Sequence, residues 1–132
     1  MRPPEDPEVA AWLDKADSDL RMARLAAEPG NALWDQACFH SQQAAEKCLK
    51  ALLVACERDV PRTHDLVYLV RILAGAVDSV GAVEQSAAVL TQYGSAPRYP
   101  SFLAPETEED ATDALGRAEG VCRWVRDRWT SS

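Results

Sequence analysis

The sequence predicts an all-α protein, an antiparallel up-down bundle of four to five helices. Apolar residues recur at spacings of three and four through most of the chain, and prolines, glycines and capping residues divide it into segments of helical length. No segment alternates apolar and polar residues as a half-buried strand does. The 132 residues are 47% hydrophobic and 27% charged, which suits one folded domain, residues 1–132, built on one core.

The first two helices are predicted from their capping residues. Asp6 is a favourable N-cap and Pro7 a favourable first helical residue, and the apolar spacing that follows continues until Pro29. Asn31 is the predicted N-cap of a second helix that runs from Ala32 to about Arg58. A proline three residues later prevents this helix from continuing.

Shorter signals predict the third, fourth and fifth helices and the loop before the last of them. Thr63 is the predicted cap of a third helix, and a fourth covers roughly Val80–Tyr93. The segment GSAPRYPSFLAPE is a predicted loop because prolines interrupt it three times. Thr107 and Asp110 form a capping box that starts the last helix. Trp124 lies beside the inner stripe of that helix, so we expect it to be exposed or at an interface.

Charge and cysteine usage exclude several classes of protein. The net charge is −7 and the calculated pI about 4.8, which argues against broad, non-specific binding along nucleic acid but permits a small basic site.

The N-terminus has no apolar signal core and no apolar run is long enough to span a bilayer, so we expect a cytoplasmic protein without membrane contact. No CxxC pair is present, so we expect reduced, buried thiols, no metal site and no cofactor. The cysteines are Cys38, Cys48, Cys56 and Cys122.

The up-down topology predicts where a binding site would form. The end of the second helix, the start of the third, the end of the fourth and the start of the fifth should meet at one pole of the bundle. An arginine there can hold a phosphate, and a tyrosine can stack on a base or, alternatively, pack on the bundle. The residues predicted at this pole are Arg58, Arg62, His64, Asp65, Arg98 and Tyr99.

The stretch CFHSQQAAEKCLKALL, residues 38–53, combines a helical pattern with an unusual set of polar residues. Glu46 and Lys50 form an i,i+4 pair, which is typical of a solvated helix face. The same polar strip could instead be a homodimer or partner interface, and Lys47 could bind a phosphate. Two glutamines are poor acid–base groups, so Gln42, Gln43 and Glu46 are predicted to serve packing and an interface rather than catalysis.

Three segments in this order resemble the HEPN family, the higher-eukaryote and prokaryote nucleotide-binding domain. They are FHSQQAAEKCLKALL at residues 39–53, PRTHDL at 61–66 and RYP at 98–100. The resemblance implies a small helical bundle that usually forms homodimers. Many such domains are encoded beside a minimal nucleotidyltransferase and act with it in a toxin–antitoxin-like pair. Some members are metal-independent RNases with an Arg-x(4–6)-His motif at the dimer cleft, and others act as binding or partner modules.

The spacing between Arg58 and His64 formally fits the RNase motif, with five residues between them. The match falls in a loop between helices, whereas the family motif usually lies on a later helix. If the protein is an RNase, His64 would be the general base and Arg58 or Arg62 the phosphate clamp. Our main hypothesis is a homodimeric binding or partner module for a nucleotide, RNA or a nucleotidyltransferase. The alternatives are the RNase and a purely structural dimer, in which His64 only packs at a helix start.

Overall fold

A computed structural model describes residues 1–95 and 104–130 of the chain. Throughout this part of the chain the regular structure is helical, which confirms the all-α prediction. The central helix is α2, which contacts all four others. The helices are α1 Pro7–Ala27, α2 Trp34–Ala55, α3 Leu66–Leu73, α4 Gly81–Thr91 and α5 Glu108–Thr130.

The two N-caps with the clearest sequence signals form as predicted. The Asp6 carboxylate accepts hydrogen bonds from the backbone N–H groups of Glu8 at 3.0 Å and Val9 at 3.3 Å. At the start of α5, the Thr107 N–H donates to the Asp110 carboxylate at 2.8 Å and the Asp110 N–H donates to the Thr107 hydroxyl at 3.2 Å. Both caps satisfy backbone donors that the first helical turn leaves without partners.

The predicted start of α2 at Ala32, capped by Asn31, is wrong. The Asn31 side chain donates to the Leu25 carbonyl at 2.6 Å, so it closes the turn after α1 instead. Ala32 has a φ of 51°, which is incompatible with a right-handed helix. The helix therefore begins at Trp34, with Leu33 in the capping position.

The predicted cap of α3 is also displaced. The Asp65 carboxylate, rather than the Thr63 hydroxyl, accepts from the first free helical N–H groups, those of Val67 at 3.0 Å and Tyr68 at 3.3 Å. Thr63 lies two residues before Asp65, and its hydroxyl accepts from the Asp65 N–H at 3.1 Å. His64 consequently precedes the cap of α3 and is not part of the helix.

The connection 56–65 folds back along α2, and its path separates residues that were predicted to lie together at one pole of the bundle. Arg58 donates to the Gly75 carbonyl at 3.3 Å, just beyond the end of α3. His64 lies at the start of α3, where its Cβ is in contact range of Gly94, beyond the end of α4. Eight residues of helix span about 12 Å. The prediction that Arg58 and His64 share one pole is therefore wrong, although the start of α3 and the end of α4 do meet.

The core consists largely of alanine and leucine side chains from all five helices. Trp124 is 8% exposed, so the prediction of an exposed side chain is wrong, and the alternative of an interface stays a prediction. The guanidinium of Arg128 lies 4.7 Å from its ring centroid and covers it. No helix of the described residues is both long enough and apolar enough to cross a membrane.

The burial of the four free thiols predicts which of them reacts first. Cys38, Cys48 and Cys122 are buried, and Cys56 is half-buried. Burial raises the pKa of the Cys38 thiol to about 12 and also raises that of Cys56. In native protein at pH 8, we expect an aromatic disulfide reagent to modify Cys56 first and the other three only after unfolding. The released thiolate is read by absorbance. Cys56→Ser should remove the native-state reaction, and rapid reaction of a second thiol would contradict this arrangement.

Candidate functional site

The polar residues of α2 are buried rather than solvated. Gln42 is 0% exposed, Glu46 4% and Lys50 6%. Trp12 of α1 lies over Lys50, with its ring centroid 5.7 Å from Nζ, and His64 of the folded-back connection lies against Glu46. The solvated-face interpretation of the Glu46–Lys50 pair is therefore wrong. The packing of Gln42 and Glu46 occurs within this chain, and their role in an interface stays a prediction.

Four of these side chains form one hydrogen-bonded group, which we call the His64 cluster: His64, Glu46, Lys50 and Gln42. Glu46 Oε1 lies 2.7 Å from His64 Nδ1, and Glu46 Oε2 accepts from Lys50 Nζ at 2.9 Å. Gln42 Nε2 donates both to Glu46 Oε1 at 3.1 Å and to the His64 backbone carbonyl at 3.0 Å. The cluster thus holds the histidine by its ring and by its backbone.

His64 is the outward member of the cluster. Its side chain is 67% exposed, whereas those of Glu46 and Lys50 are 5% and 8% exposed. The carboxylate at Nδ1 favours the tautomer with its proton there, which leaves Nε2 as the group that meets an incoming molecule. Nε2 can accept a proton when the ring is neutral, and it can donate a hydrogen bond to an anion when the ring is charged.

A second, similar cluster lies between α1 and α2. Asp19 contacts His40 Nδ1 through Oδ1 at 2.8 Å and Lys47 Nζ through Oδ2 at 2.5 Å. Gln43 is joined to the His64 cluster, because its Nε2 donates to Gln42 Oε1 at 2.6 Å. The ammonium of Lys47, a predicted phosphate ligand, is therefore already paired. The sequence reasoning missed Asp19 and His40, although a carboxylate beside Leu20 on the inner stripe of α1 was a usable signal.

The remaining predicted site residues are dispersed. Arg62 is exposed two residues before His64, and Asp65 is committed to capping α3. Arg58 lies at the opposite end of α3. Arg98 and Tyr99 lie outside the described residues. Within residues 1–95 and 104–130, no three His, Cys, Asp or Glu side chains are grouped so that they could hold a metal ion.

Comparison with known proteins finds one family whose model matches most of the chain. The family model of the HEPN domain matches residues 9–128. The protein TT1696 from Thermus thermophilus is 31% identical, with a TM-score of 0.80 over 90% of this chain and 96% of its own. ST0689, described as an archaeal HEPN homologue, is 28% identical, with a TM-score of 0.73 over 92% of this chain and 97% of its own.

A third solved structure agrees in fold. An HEPN domain protein from Thermotoga maritima is 21% identical, with a TM-score of 0.75 over 92% of this chain and 99% of its own. At that identity the likeness concerns the fold alone. None of the curated proteins matches the chain.

Proposed function

This chain belongs to the HEPN domain family, and we propose that it is a binding module that contacts a phosphate of a nucleotide or RNA through the His64 imidazole. One observation carries the proposal: a 67% exposed histidine is held by a carboxylate that is itself only 5% exposed. A buried ion pair such as Glu46–Lys50 is often no more stabilising than apolar residues of the same size. Stability alone therefore does not explain why this position of the fold holds a buried ion pair.

The surroundings of His64 suit an anionic ligand in spite of the net charge of −7. The positive charge of Lys50 balances the negative charge of Glu46, so these two side chains together carry no net charge. When the His64 imidazole carries a proton, the net charge of the cluster is positive. Arg62 is exposed two residues away and provides a permanent cation with bidentate geometry for phosphate. Arg98 and Tyr99 are proposed as further contacts on the sequence signal alone.

A second candidate function is the metal-independent RNase, and the orientation of His64 favours it. An imidazole whose Nδ1 is held by a carboxylate can take the proton of a ribose 2′-hydroxyl at Nε2. The clamp on the scissile phosphate would be Arg62, because Arg58 lies at the other end of α3. The difference between the two functions is whether the bound RNA is turned over.

The partners that the family resemblance implies are also part of the proposal. We propose that the domain is a homodimer and that it acts with a minimal nucleotidyltransferase in a toxin–antitoxin-like pair. The test of that partner is co-purification of the domain with a nucleotidyltransferase encoded beside it, and an absence of any complex between the two purified proteins would contradict it.

The binding test compares His64→Ala with a matched variant of another exposed residue. Fluorescence anisotropy with labelled single-stranded RNA, and competition by ATP and GTP, measure the affinity in EDTA. We expect His64→Ala to weaken binding at least about tenfold, a loss of about 1.4 kcal/mol, and Arg62→Ala to weaken it as well. The control is Arg71→Ala, an exposed arginine on α3, which should leave the affinity unchanged.

The same samples, analysed on a denaturing gel, separate binding from cleavage. Intact RNA with His64-dependent binding supports the binding module, and cleavage that His64→Ala abolishes supports the RNase. If folded wild-type protein binds neither RNA nor nucleotide, or if His64→Ala binds as tightly as wild type, the proposed role of His64 is wrong.

A further inference from the structure

Gly94 lies directly beside the His64 cluster, just beyond the end of α4. A Cβ on Gly94 would lie 3.3 Å from the Cβ of His64 and 3.6 Å from Nε2 of Gln42. Carbon atoms in favourable contact are about 3.5–4.0 Å apart, so a methyl group at position 94 would press on His64. The bare backbone of Gly94 therefore leaves His64 the space that it occupies.

The conformation of Gly94 does not explain why a glycine is present. No glycine among the described residues has a positive φ, so Gly94 lies in a part of backbone space that other residues also occupy. Gly81, at the start of α4, is a useful comparison, because a Cβ there would meet no atom within 4 Å. What distinguishes Gly94 is its closeness to the site.

Contacts on either side of Gly94 hold it in place. The Thr91 hydroxyl accepts from the Leu66 N–H at 3.0 Å and donates to the Ala87 carbonyl at 2.8 Å, which ties the end of α4 to the start of α3. Tyr93 packs against the core. The Gly94 N–H donates to the Thr91 carbonyl oxygen at 3.1 Å, and that oxygen would lie 3.2 Å from a Cβ on Gly94. Because the backbone on this side is fixed, His64 is the neighbour that must move.

Glu46 cannot follow a displaced imidazole. Its Oε1 lies 2.7 Å from His64 Nδ1, while its Oε2 accepts from Lys50 and its side chain is only 5% exposed. A shift of the His64 Cβ by roughly 0.2–0.7 Å would restore an ordinary separation from a Cβ at position 94. Such a shift changes the length and the angle of the contact between the imidazole and the carboxylate, and hydrogen bonds weaken steeply when they are misaligned.

We propose that Gly94 is a positioning residue for His64: without a side chain at position 94, the imidazole remains against Glu46 and presents Nε2 to the ligand. This inference rests on the proposed function, because it concerns how the group that contacts phosphate is oriented. The end of α4 then contributes to the site without offering the ligand a side chain. Binding groups act best when they are held within about 0.5 Å of the productive position, so the displacement by one methyl group is large enough to matter.

The tautomer of His64 tests this position in the absence of any ligand. Long-range ¹H–¹⁵N NMR of the neutral ring distinguishes a proton at Nδ1, which Glu46 favours, from a proton at Nε2. We expect Gly94→Ala to convert part of the His64 population to the Nε2 tautomer and Gly94→Val to convert more of it. The signals of His40 should stay in place and show that the variants are folded. The matched control Gly81→Ala should leave both histidines unchanged.

A double-mutant cycle then shows whether Gly94 acts through His64. We expect Gly94→Val to weaken the binding of single-stranded RNA about tenfold, as His64→Ala does, and Gly94→Ala to weaken it about threefold. In protein that already carries His64→Ala, neither change should weaken binding further, because the group that Gly94 positions is gone. A residue that contacted the RNA itself would cause the same loss in both backgrounds.

Two results would overturn the role of Gly94. One is a His64 tautomer that is the same in wild type and in both Gly94 variants, and the other is an equal loss of affinity with and without His64. If Gly94→Val does not fold, Gly94→Ala carries the test with the smallest possible side chain. Wild-type protein that binds neither RNA nor nucleotide would overturn the proposed function, and the tautomer alone would then decide whether Gly94 positions His64.

Discussion

Replacing Glu46 with alanine is expected to lower the free energy of unfolding by about 3–5 kcal/mol, the usual cost of breaking a buried ion pair. The side chains of Glu46 and Lys50 are 5% and 8% exposed and lie 2.9 Å apart. Without the carboxylate, the ammonium of Lys50 remains buried with no counter-charge, and Gln42 loses one of its two acceptors. Urea denaturation followed by circular dichroism gives the change directly.

The reciprocal and double variants show whether this cost arises from the unpaired charge. Lys50→Met should destabilise the protein by a similar amount, because Glu46 then stays buried without its cation. Combining Glu46→Leu with Lys50→Met removes both charges, and we expect most of the stability to return. The double variant should still lose RNA binding, because no carboxylate then holds the His64 ring by Nδ1. Single variants that cost less than about 1 kcal/mol, the value of an exposed ion pair, would contradict the buried pair.

Ala45→Glu is expected to abolish folding, the largest effect of any single change proposed. Ala45 is 0% exposed and belongs to the core of α2. A glutamate there would bury an unpaired carboxylate and overfill the core, and these costs are comparable to the total stability of about 5–15 kcal/mol of a small domain. Far-UV circular dichroism and tryptophan fluorescence of the purified variant report the loss.

The control for this change is Gln36→Glu, which adds the same carboxylate at an exposed position of α2. It should leave the spectra and the stability close to those of wild type. If Ala45→Glu instead yields a folded protein with the spectra of wild type, the burial of Ala45 in the core is contradicted.

Local chemistry predicted the helices better than their exact starts. Asp6 and the Thr107–Asp110 pair act as caps within one turn of chain, so nearby residues were sufficient to identify them. Thr63 and Asp65 are both good caps, and the sequence did not distinguish between them. The choice depends on a distant contact, because the Leu66 N–H that follows Asp65 donates to the Thr91 hydroxyl at 3.0 Å.

Predicting the site required knowledge of the tertiary structure even more than predicting the helix starts did. The outer face of α2 reads as a solvated helix surface, and only the path of the connection 56–65 and the position of Trp12 bury it. His64 was predicted as a candidate because of its residue type and motif. Its partner Glu46 lies 18 residues earlier and was predicted to serve packing and an interface. Their pairing became visible only once the folded-back connection set the histidine beside the middle of α2.

His64 is the group proposed to contact phosphate, and because the chain has two histidines this contact can be observed directly. His40 and His64 each contact a carboxylate through Nδ1, so His40 is an internal control for His64. The decisive measurement is a long-range ¹H–¹⁵N NMR titration of the imidazoles with single-stranded RNA, with His64→Ala to assign the signals. We predict that the His64 Nε2 signal shifts with saturation of the RNA site while that of His40 stays in place. RNA binding that leaves the His64 signals unchanged would contradict the account.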